Sequence, residues 1–146
     1  MSTVKEILRD KLPGIWSITP DATVYDALTL MADKNIGAVL VMDAGRLVGI
    51  LSERDYARKV ILHGKSSKDT LIREIMTGRV VCVHPEQTAE QCMALMTDKH
   101  VRHLPVLEND QVTGVISIGD VVKSIISEKE FLIEQLEHYI SGPAYW

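Results

Sequence analysis

The strongest constraint on the fold of this chain is an internal repeat. The heptad "GILSERD" at 49–55 recurs as "GVISIGD" at 114–120, 65 residues further along. The same shift aligns other identical residues without a gap: Pro20 with Pro85, Thr23 with Thr88, Leu30 with Leu95, Met31 with Met96, Asp33 with Asp98, Lys34 with Lys99 and Val41 with Val106. A second pair of segments, "VKEIL" at 4–8 and "IREIM" at 72–76, is offset by 68. Two copies are too few for a solenoid, so we expect a pair related by a pseudo-twofold axis.

Each copy predicts the element order β-α-β-β-α. The β-branched runs at 15–19 and 80–84 predict strands that end near a proline, and apolar residues at helical spacing predict helices at 23–35 and 88–100. Polar turns then join 37–42 to 46–52, and 103–107 to 111–117, as hairpins that are each followed by a second helix. We therefore expect an α/β (α+β) fold of two units: residues 1–65 with an N-terminal helix, and residues 66–146 with a linker helix and a long C-terminal helix.

The last predicted helix is longer than its counterpart. From Asp120 its apolar pattern runs to about Ile140, and Gly142-Pro143 is expected to end it. An apolar face of this length needs a partner surface, and we expect that partner to be a second copy in a homodimer. The alternative is that the helix folds back on its own unit.

Composition argues against several classes of protein. The net charge of −4 disfavours nucleic acid as the main partner, because phosphate backbones bind clustered Lys and Arg. The sequence contains neither a long apolar run nor the features of a signal peptide, so we expect a cytoplasmic protein without a membrane partner. Cys82 and Cys92 lack zinc spacing and are expected to be buried, reduced thiols. An isolated HxxH, His100 with His103, is a weak signal, and no metal site is expected.

The repeated heptad allows two interpretations. Ser52 with Asp55, and Ser117 with Asp120, have the spacing of a capping box at the start of a helix. A capping box prefers the longer Glu or Gln at the second position, and it does not require the preceding glycine. The same geometry would also place a carboxylate, an acceptor-only group with two oxygens, against the paired hydroxyls of a ribose. Helix amides beside it favour a phosphate.

The two heptads, together with "NIGAVLV" and "VRHLPVL", resemble tandem CBS domains, the paired modules also called Bateman modules. The resemblance covers essentially the whole chain, which is similar to the stand-alone bacterial type. It implies two β-α-β-β-α repeats packed about a pseudo-twofold axis, with two clefts between them that bind an adenosine ligand. AMP or NAD is favoured, and ATP, ADP and S-adenosylmethionine are the alternatives.

The resemblance implies ligand contacts from both repeats, with each cleft mixing them. The ribose aspartates correspond to Asp55 and Asp120, and the serines at the strand ends to Ser52 and Ser117. The other expected contacts are the residues before the first-strand prolines and the backbone beside the adenine: Thr19, His84, Ile36, Gly37, Ala38, Val101, Arg102 and His103. We expect Asp55 to share a cleft with His84, Arg102 and His103, and Asp120 to share the other with Thr19, Gly37 and Ala38.

The expected clefts are unequal, because Arg102 and His103 correspond to Gly37 and Ala38 in the other repeat. Arg54 is expected to reach a phosphate in the second cleft, and Arg58 and Lys59 are weaker candidates for the same role. The alternative for the two arginines is a solvated helix face. For His103 the alternative is a hydrogen-bonded histidine at the sheet edge, and Trp16 either stacks on the adenine or belongs to the core.

The function expected from this resemblance is that of a non-enzymatic regulatory module. It would sense energy or cofactor state through an adenine nucleotide and signal by conformational change to an unknown regulated protein. One alternative is an adaptor that docks through its C-terminal helix, with nucleotide structural or absent. A small nucleotide hydrolase is a further alternative, which would require a general base or a metal cluster in a cleft.

Overall fold

The computed structural model describes residues 2–11 and 14–141. The first half of the chain contains α1 (Val4–Arg9), β1 (Ser17–Ile18), α2 (Val24–Lys34), β2 (Ala38–Asp43), β3 (Arg46–Ser52), α3 (Glu53–Lys59) and a 3₁₀ turn (Ile61–His63). The second half contains α4 (Ile72–Ile75), α5 (Ala89–Lys99), β4 (His103–Glu108), β5 (Gln111–Ser117) and α6 (Ile118–Ser141). The predicted helix end at Gly142-Pro143 lies outside the described residues.

The predicted order β-α-β-β-α is confirmed in the first repeat, where β1, β2 and β3 form one sheet. In the second repeat the strand predicted at 80–84 is wrong, since only Val83 forms a parallel bridge, to Val106. Pro105 explains the difference. Its counterpart Leu40 donates its amide to the Trp16 carbonyl at 3.2 Å, whereas a proline has no N–H to donate. The second sheet therefore consists of β4 and β5 alone.

The two predicted hairpins are confirmed, and they share one irregularity. β2 pairs antiparallel with β3, and β4 with β5, with a register shift at Val41/Met42 and at the equivalent Val106/Leu107. Left-handed backbone closes both turns, with φ of 79° at Gly45 and 62° at Asp110. The duplication thus extends to the details of the turns.

The two short helices α1 and α4 pack onto the opposite repeat. Val4 of α1 donates its amide to Gln87 O at 2.8 Å, and at the corresponding place Ile72 of α4 donates to Ala22 O at 2.9 Å. Val4 and Ile7 of α1 are accordingly buried in the core of the second repeat, and Ile72 and Ile75 of α4 in the core of the first. Each helix that precedes one repeat therefore completes the core of the other, while the division of the chain into 1–65 and 66–146 stays a prediction.

This exchange explains the glycine that opens each heptad. A Cβ on Gly49 would lie 2.6 Å from Met76 Sδ and 3.1 Å from Thr77 O, in the segment that ends α4. A Cβ on Gly114 would lie 2.7 Å from Leu8 Cδ2 of α1. The glycines thus make room for the exchanged helices against β3 and β5, a role distinct from helix capping.

The long helix α6 is buried only near its start. Val121 is fully buried in the second core, whereas every side chain from Lys129 to Ile140 is exposed. The alternative in which this helix folds back on its own unit is therefore wrong for the described residues. Within residues 2–11 and 14–141, no helix combines the length and the apolar character that crossing a membrane would need.

Replacing Gly49 by alanine tests the close packing of the exchanged segment. We expect Gly49→Ala to lower the free energy of unfolding by about 1–3 kcal/mol, because the new Cβ meets a backbone oxygen that cannot move freely. Gly78→Ala is the matched control, since a Cβ there meets nothing within 4 Å. It should leave stability unchanged or raise it by up to about 1 kcal/mol. Urea unfolding measures both variants, and equal stabilities would contradict the packing argument.

Candidate functional site

Two clefts lie between the repeats, and each is built from both. The Asp55 cleft, of about 370 Å³, brings Ser52 and Asp55 of the first repeat against Val101, Arg102 and His103 of the second. The Asp120 cleft, of about 590 Å³, brings Ser117 and Asp120 of the second repeat against Ile36, Gly37 and Ala38 of the first. Both volumes fall within the range of about 300–1,000 Å³ that is typical of small-molecule sites.

The serine and aspartate of each heptad form a capping box at a strand-to-helix turn. Ser52 N donates to Asp55 Oδ2 at 2.9 Å, and Asp55 N donates to Ser52 Oγ at 3.2 Å. The corresponding distances between Ser117 and Asp120 are 2.8 and 3.2 Å. These reciprocal bonds hold each carboxylate at the wall of a cleft. The capping interpretation is confirmed, and it leaves the ligand interpretation open because the same side chains line the clefts.

Most of the other residues expected at the site line one of the clefts, with two exceptions. Thr19 and His84 line neither. The chain turns at Thr19, whose carbonyl accepts from Ala22 N at 3.2 Å, and His84 Nδ1 lies 3.3 Å from Leu107 O. Arg54 lines the Asp55 cleft, so the expectation that it reaches the second cleft is wrong.

The Asp55 cleft is rich in basic groups. Arg54, Arg58, Lys99 and Arg102 line it, against the acidic Glu53 and Asp55. Arg54 and Arg58 therefore do not lie on a purely solvated helix face, since both side chains border a concave surface. Lys59 lies 3.4 Å from Asp55 Oδ1 and donates to Ile75 O at 3.1 Å, which ties it to its own helix and to α4.

His103 lies between the two clefts and lines both. Its ring is close to Gly37, where a Cβ would be only 3.3 Å from His103 Nε2. Burial lowers the pKa of His103 below its ordinary value, the charges of Lys11 and Arg102 lower it further, and Asp120 opposes them. The imidazole is therefore neutral at pH 7, so one ring nitrogen donates and the other accepts.

The sequence assigned no ligand role to two residues of the Asp120 cleft, Lys11 and Lys34, and for Trp16 it left stacking on the adenine as one of two alternatives. Lys11 forms an ion pair with Asp120 at 2.8 Å and lies outside the aligned repeat, so no repeat signal marks it. Trp16 is 40% exposed and lines the cleft, so the core alternative is wrong for it and stacking on the adenine stays a prediction. Lys34 Nζ lies 4.4 Å from the centroid of the Trp16 ring, a cation–π contact that places a second ammonium in this cleft.

The charge of Asp120 depends on these neighbours. Burial raises the pKa of its carboxyl, but hydrogen bonds from Lys11 and from Ser117 outweigh that effect and bring the pKa below its ordinary value. Asp120 is therefore ionised at neutral pH, as an acceptor for hydroxyl groups must be.

The cysteines border neither cleft, whereas both histidines of the HxxH pair, His100 and His103, line the Asp55 cleft. Cys92 is fully buried, and desolvation with the charge of Glu90 raises its pKa to about 11. Cys82 is only half-buried, which differs from the buried thiol we expected, and burial raises its pKa. The described residues contain no group of three His, Cys, Asp or Glu side chains placed to hold a metal ion.

Comparison with known proteins agrees with the fold and the repeat. The sequence profile of the CBS domain matches twice, at residues 4–62 and 72–127. The chain belongs to the CBS-domain family. This CBS-domain protein is similar to the CBS domain-containing protein CBSX3, mitochondrial, of Arabidopsis thaliana. The two are 39% identical over 150 aligned positions, which cover 97% of this chain and 73% of the relative.

Solved structures of CBS-domain proteins superpose closely. A protein with CBS domains from Burkholderia ambifaria MC40-6 is 51% identical, with a TM-score of 0.84 over 86% of this chain and 95% of that one. The CBS domain pair of protein MJ0100, solved in complex with 5′-methylthioadenosine and S-adenosyl-L-methionine, is 24% identical. Its TM-score is 0.76 over 88% of this chain and 98% of that one. These similarities confirm a CBS-domain pair as the architecture.

Proposed function

We propose that this CBS-domain protein is a non-enzymatic regulatory module that binds an adenosine ligand between its repeats and signals by conformational change. The observation that carries the proposal is that each cleft brings a carboxylate from one repeat against the backbone of the other repeat at 36–38 or 101–103, where β2 and β4 begin. The ligand class is supported by the MJ0100 domain pair, whose structure contains 5′-methylthioadenosine and S-adenosyl-L-methionine.

Each cleft offers matched groups for the two halves of a nucleoside. The carboxylate of Asp55 or Asp120 suits the vicinal hydroxyls of a ribose, because both of its oxygens accept hydrogen bonds. At 36–38 and 101–103 the carbonyls of Gly37 and Arg102 already accept from Glu53 N and Ile118 N. The amides of Gly37 and Arg102 would therefore be the groups that meet the edge of the adenine. Ribose and base would then bridge the two repeats.

The charges at the clefts favour a nucleotide over a neutral nucleoside. Four basic side chains border the Asp55 cleft, and their guanidinium and ammonium groups form charge-assisted hydrogen bonds with phosphate oxygens. AMP or NAD fits this arrangement, with ADP, ATP and S-adenosylmethionine as alternatives. Arginines line the Asp55 cleft, whereas lysines line the Asp120 cleft. The two clefts should therefore differ in their affinity for a phosphate group.

The signal would be a change in how the repeats sit against each other. A ligand that contacts both repeats stabilises the arrangement in which those contacts are best, and it shifts the equilibrium only by its difference in affinity between the two arrangements. His103, which borders both clefts, is placed to sense the occupancy of either one.

Ligand-dependent stabilisation tests the proposed binding. We expect AMP, ADP, ATP, NAD or S-adenosylmethionine at a hundredfold excess over Kd to stabilise the protein by about 2.7 kcal/mol. Asp55→Ala and Asp120→Ala should each reduce the shift, and the double variant should abolish it. Thermal melting with and without each compound measures these differences.

Asp26→Ala is the matched control for the loss of a helix cap. Asp26 forms the same capping box with Thr23 at the start of α2, at 3.2 and 3.1 Å, but borders neither cleft. It should cost about 0.5–2 kcal/mol of stability and leave the ligand-induced shift intact. A shift that survives loss of both cleft aspartates, or no shift with any adenosine compound, would contradict the proposal.

A homodimer through α6 is the second part of the proposal. From Ile126 onward this helix exposes apolar side chains three, four or seven residues apart: Ile126 (51%), Ile133 (55%), Leu136 (52%) and Ile140 (79%). A second copy presents the same stripe, and a twofold pairing buries both at once. The hexameric CBS-CP12 protein of bloom-forming cyanobacteria, 30% identical, shows that a CBS-domain relative assembles from several copies. If α6 instead receives a different protein, the chain is the adaptor considered above.

Sedimentation analysis distinguishes these two outcomes. We expect a wild-type dimer and a monomer after Leu136→Glu, because the substitution places a charge within the apolar stripe. Leu62→Glu is the control, since Leu62 is 78% exposed but belongs to the 3₁₀ turn and not to α6. A dimer that persists in Leu136→Glu would contradict pairing through α6, and a monomeric wild type would favour the adaptor.

A further inference from the structure

The ammonium group paired with Asp120, that of Lys11, borders its cleft, whereas the ammonium group paired with Asp55, that of Lys59, does not border the Asp55 cleft. Lys11 Nζ donates to Val115 O at 2.7 Å and pairs with Asp120 Oδ2 at 2.8 Å. Its side chain is 37% exposed and borders the cleft. The ammonium is thus held in place by two oxygens and remains accessible from the cleft.

The ammonium group of Lys11 is found in only one repeat because the two exchanged segments supply different hydrogen-bond donors. At the equivalent position of the first repeat, the acceptor is Ile50 O, and its donor is the backbone amide of Thr77 at 3.0 Å. In the second repeat the acceptor is Val115 O, and the donor is the Lys11 side chain. At this carbonyl the first repeat therefore has a neutral amide, where the second has an ammonium group.

The hydrogen bonds of this ion pair leave groups for a ligand. Asp120 Oδ2 accepts from both Ser117 N and Lys11 Nζ, whereas Oδ1 has no hydrogen-bond partner among residues 2–11 and 14–141. An ammonium has three N–H donors, and Lys11 directs two of them at Val115 O and Asp120 Oδ2. One carboxylate oxygen and one ammonium N–H thus remain side by side.

We propose that Lys11 is the specificity-determining residue of the Asp120 cleft, which selects adenosine ligands that carry an anionic group next to the ribose. The proposal rests on the proposed function, since it assumes that Asp120 Oδ1 receives a ribose hydroxyl. The third N–H of Lys11 then meets a phosphate or carboxylate on the same ligand. A neutral nucleoside makes the ribose contact with Asp120 but has no anionic group for Lys11. Lys34, held over Trp16, adds positive charge on the same side without a direct bond to Asp120.

Fluorescence of Trp16 measures binding in this cleft alone. The chain has two tryptophans, so a Trp146→Phe background leaves Trp16, which lines the Asp120 cleft, as the single reporter. The probes are AMP and adenosine, which differ only in the phosphate. We expect wild-type protein to bind AMP more tightly than adenosine, and Lys11→Met to weaken AMP by about ten- to a hundredfold, as loss of a charged hydrogen bond does. Adenosine affinity should not change.

Three variants control this measurement. Lys11→Arg keeps the charge and should retain most of the preference for AMP, and Lys11→Gln replaces Lys11→Met if the latter does not fold by circular dichroism. Arg46→Met removes an exposed cation of β3 that borders neither cleft, and it should leave the preference for AMP unchanged.

The outcomes separate this proposal from the proposed function. If Lys11→Met weakens AMP and adenosine equally, Lys11 has only a structural role. If it strengthens both, Lys11 blocks Asp120 instead of recognising an anion. Either result, or an unchanged preference for AMP, overturns the proposal while adenosine binding stands. If wild-type protein binds neither compound at Trp16, the proposed function fails for this cleft and the role of Lys11 fails with it.

Discussion

The exchange of helices between the repeats is the constraint on which the rest of the structure depends. The core of each repeat is closed by the short helix that precedes the other, so neither core is complete without a helix that lies outside its own β-α-β-β-α unit. Gly49 and Gly114 permit the close approach of the exchanged segments to β3 and β5. The last residues of these strands, Ser52 and Ser117, are thereby held at the junction of the repeats, where the clefts form. A ligand that contacts both walls of a cleft therefore contacts both repeats at the junction between them.

The approximate twofold symmetry produces two similar sites, and local departures from that symmetry make the sites different. Each site has the same serine and aspartate with the same reciprocal hydrogen bonds. His103 corresponds to Ala38 in the other repeat, so one imidazole lies between the clefts and has no second copy. Lys11 replaces a backbone amide at only one of two equivalent carbonyls. A duplicated module can in this way keep one recognition scheme and acquire two ligand preferences.

The sequence alone predicted the parts that depend on local pattern. The hairpins, the capping boxes and the grouping of Asp55 with Arg102 could be found because the copies align without a gap and the family resemblance supplied their pairing. The exchange of α1 and α4 could not, since an offset of 68 instead of 65 shows that a segment shifted but not where it packs. The sequence did not predict the role of Lys11, because this residue lies outside the aligned repeat. The strand at 80–84 was overpredicted, because the missing amide belongs to Pro105, on the neighbouring strand.

A crystal structure of the protein with AMP tests the central claim most directly, since that claim concerns where each part of a nucleotide lies. The account predicts AMP between the repeats, with its ribose hydroxyls within hydrogen-bond distance of the Asp55 or Asp120 carboxylate. It also predicts that the adenine lies against the backbone of 101–103 or 36–38 from the opposite repeat. AMP bound within a single repeat or outside the clefts, or clefts that stay empty at saturating AMP and at saturating NAD, would contradict it.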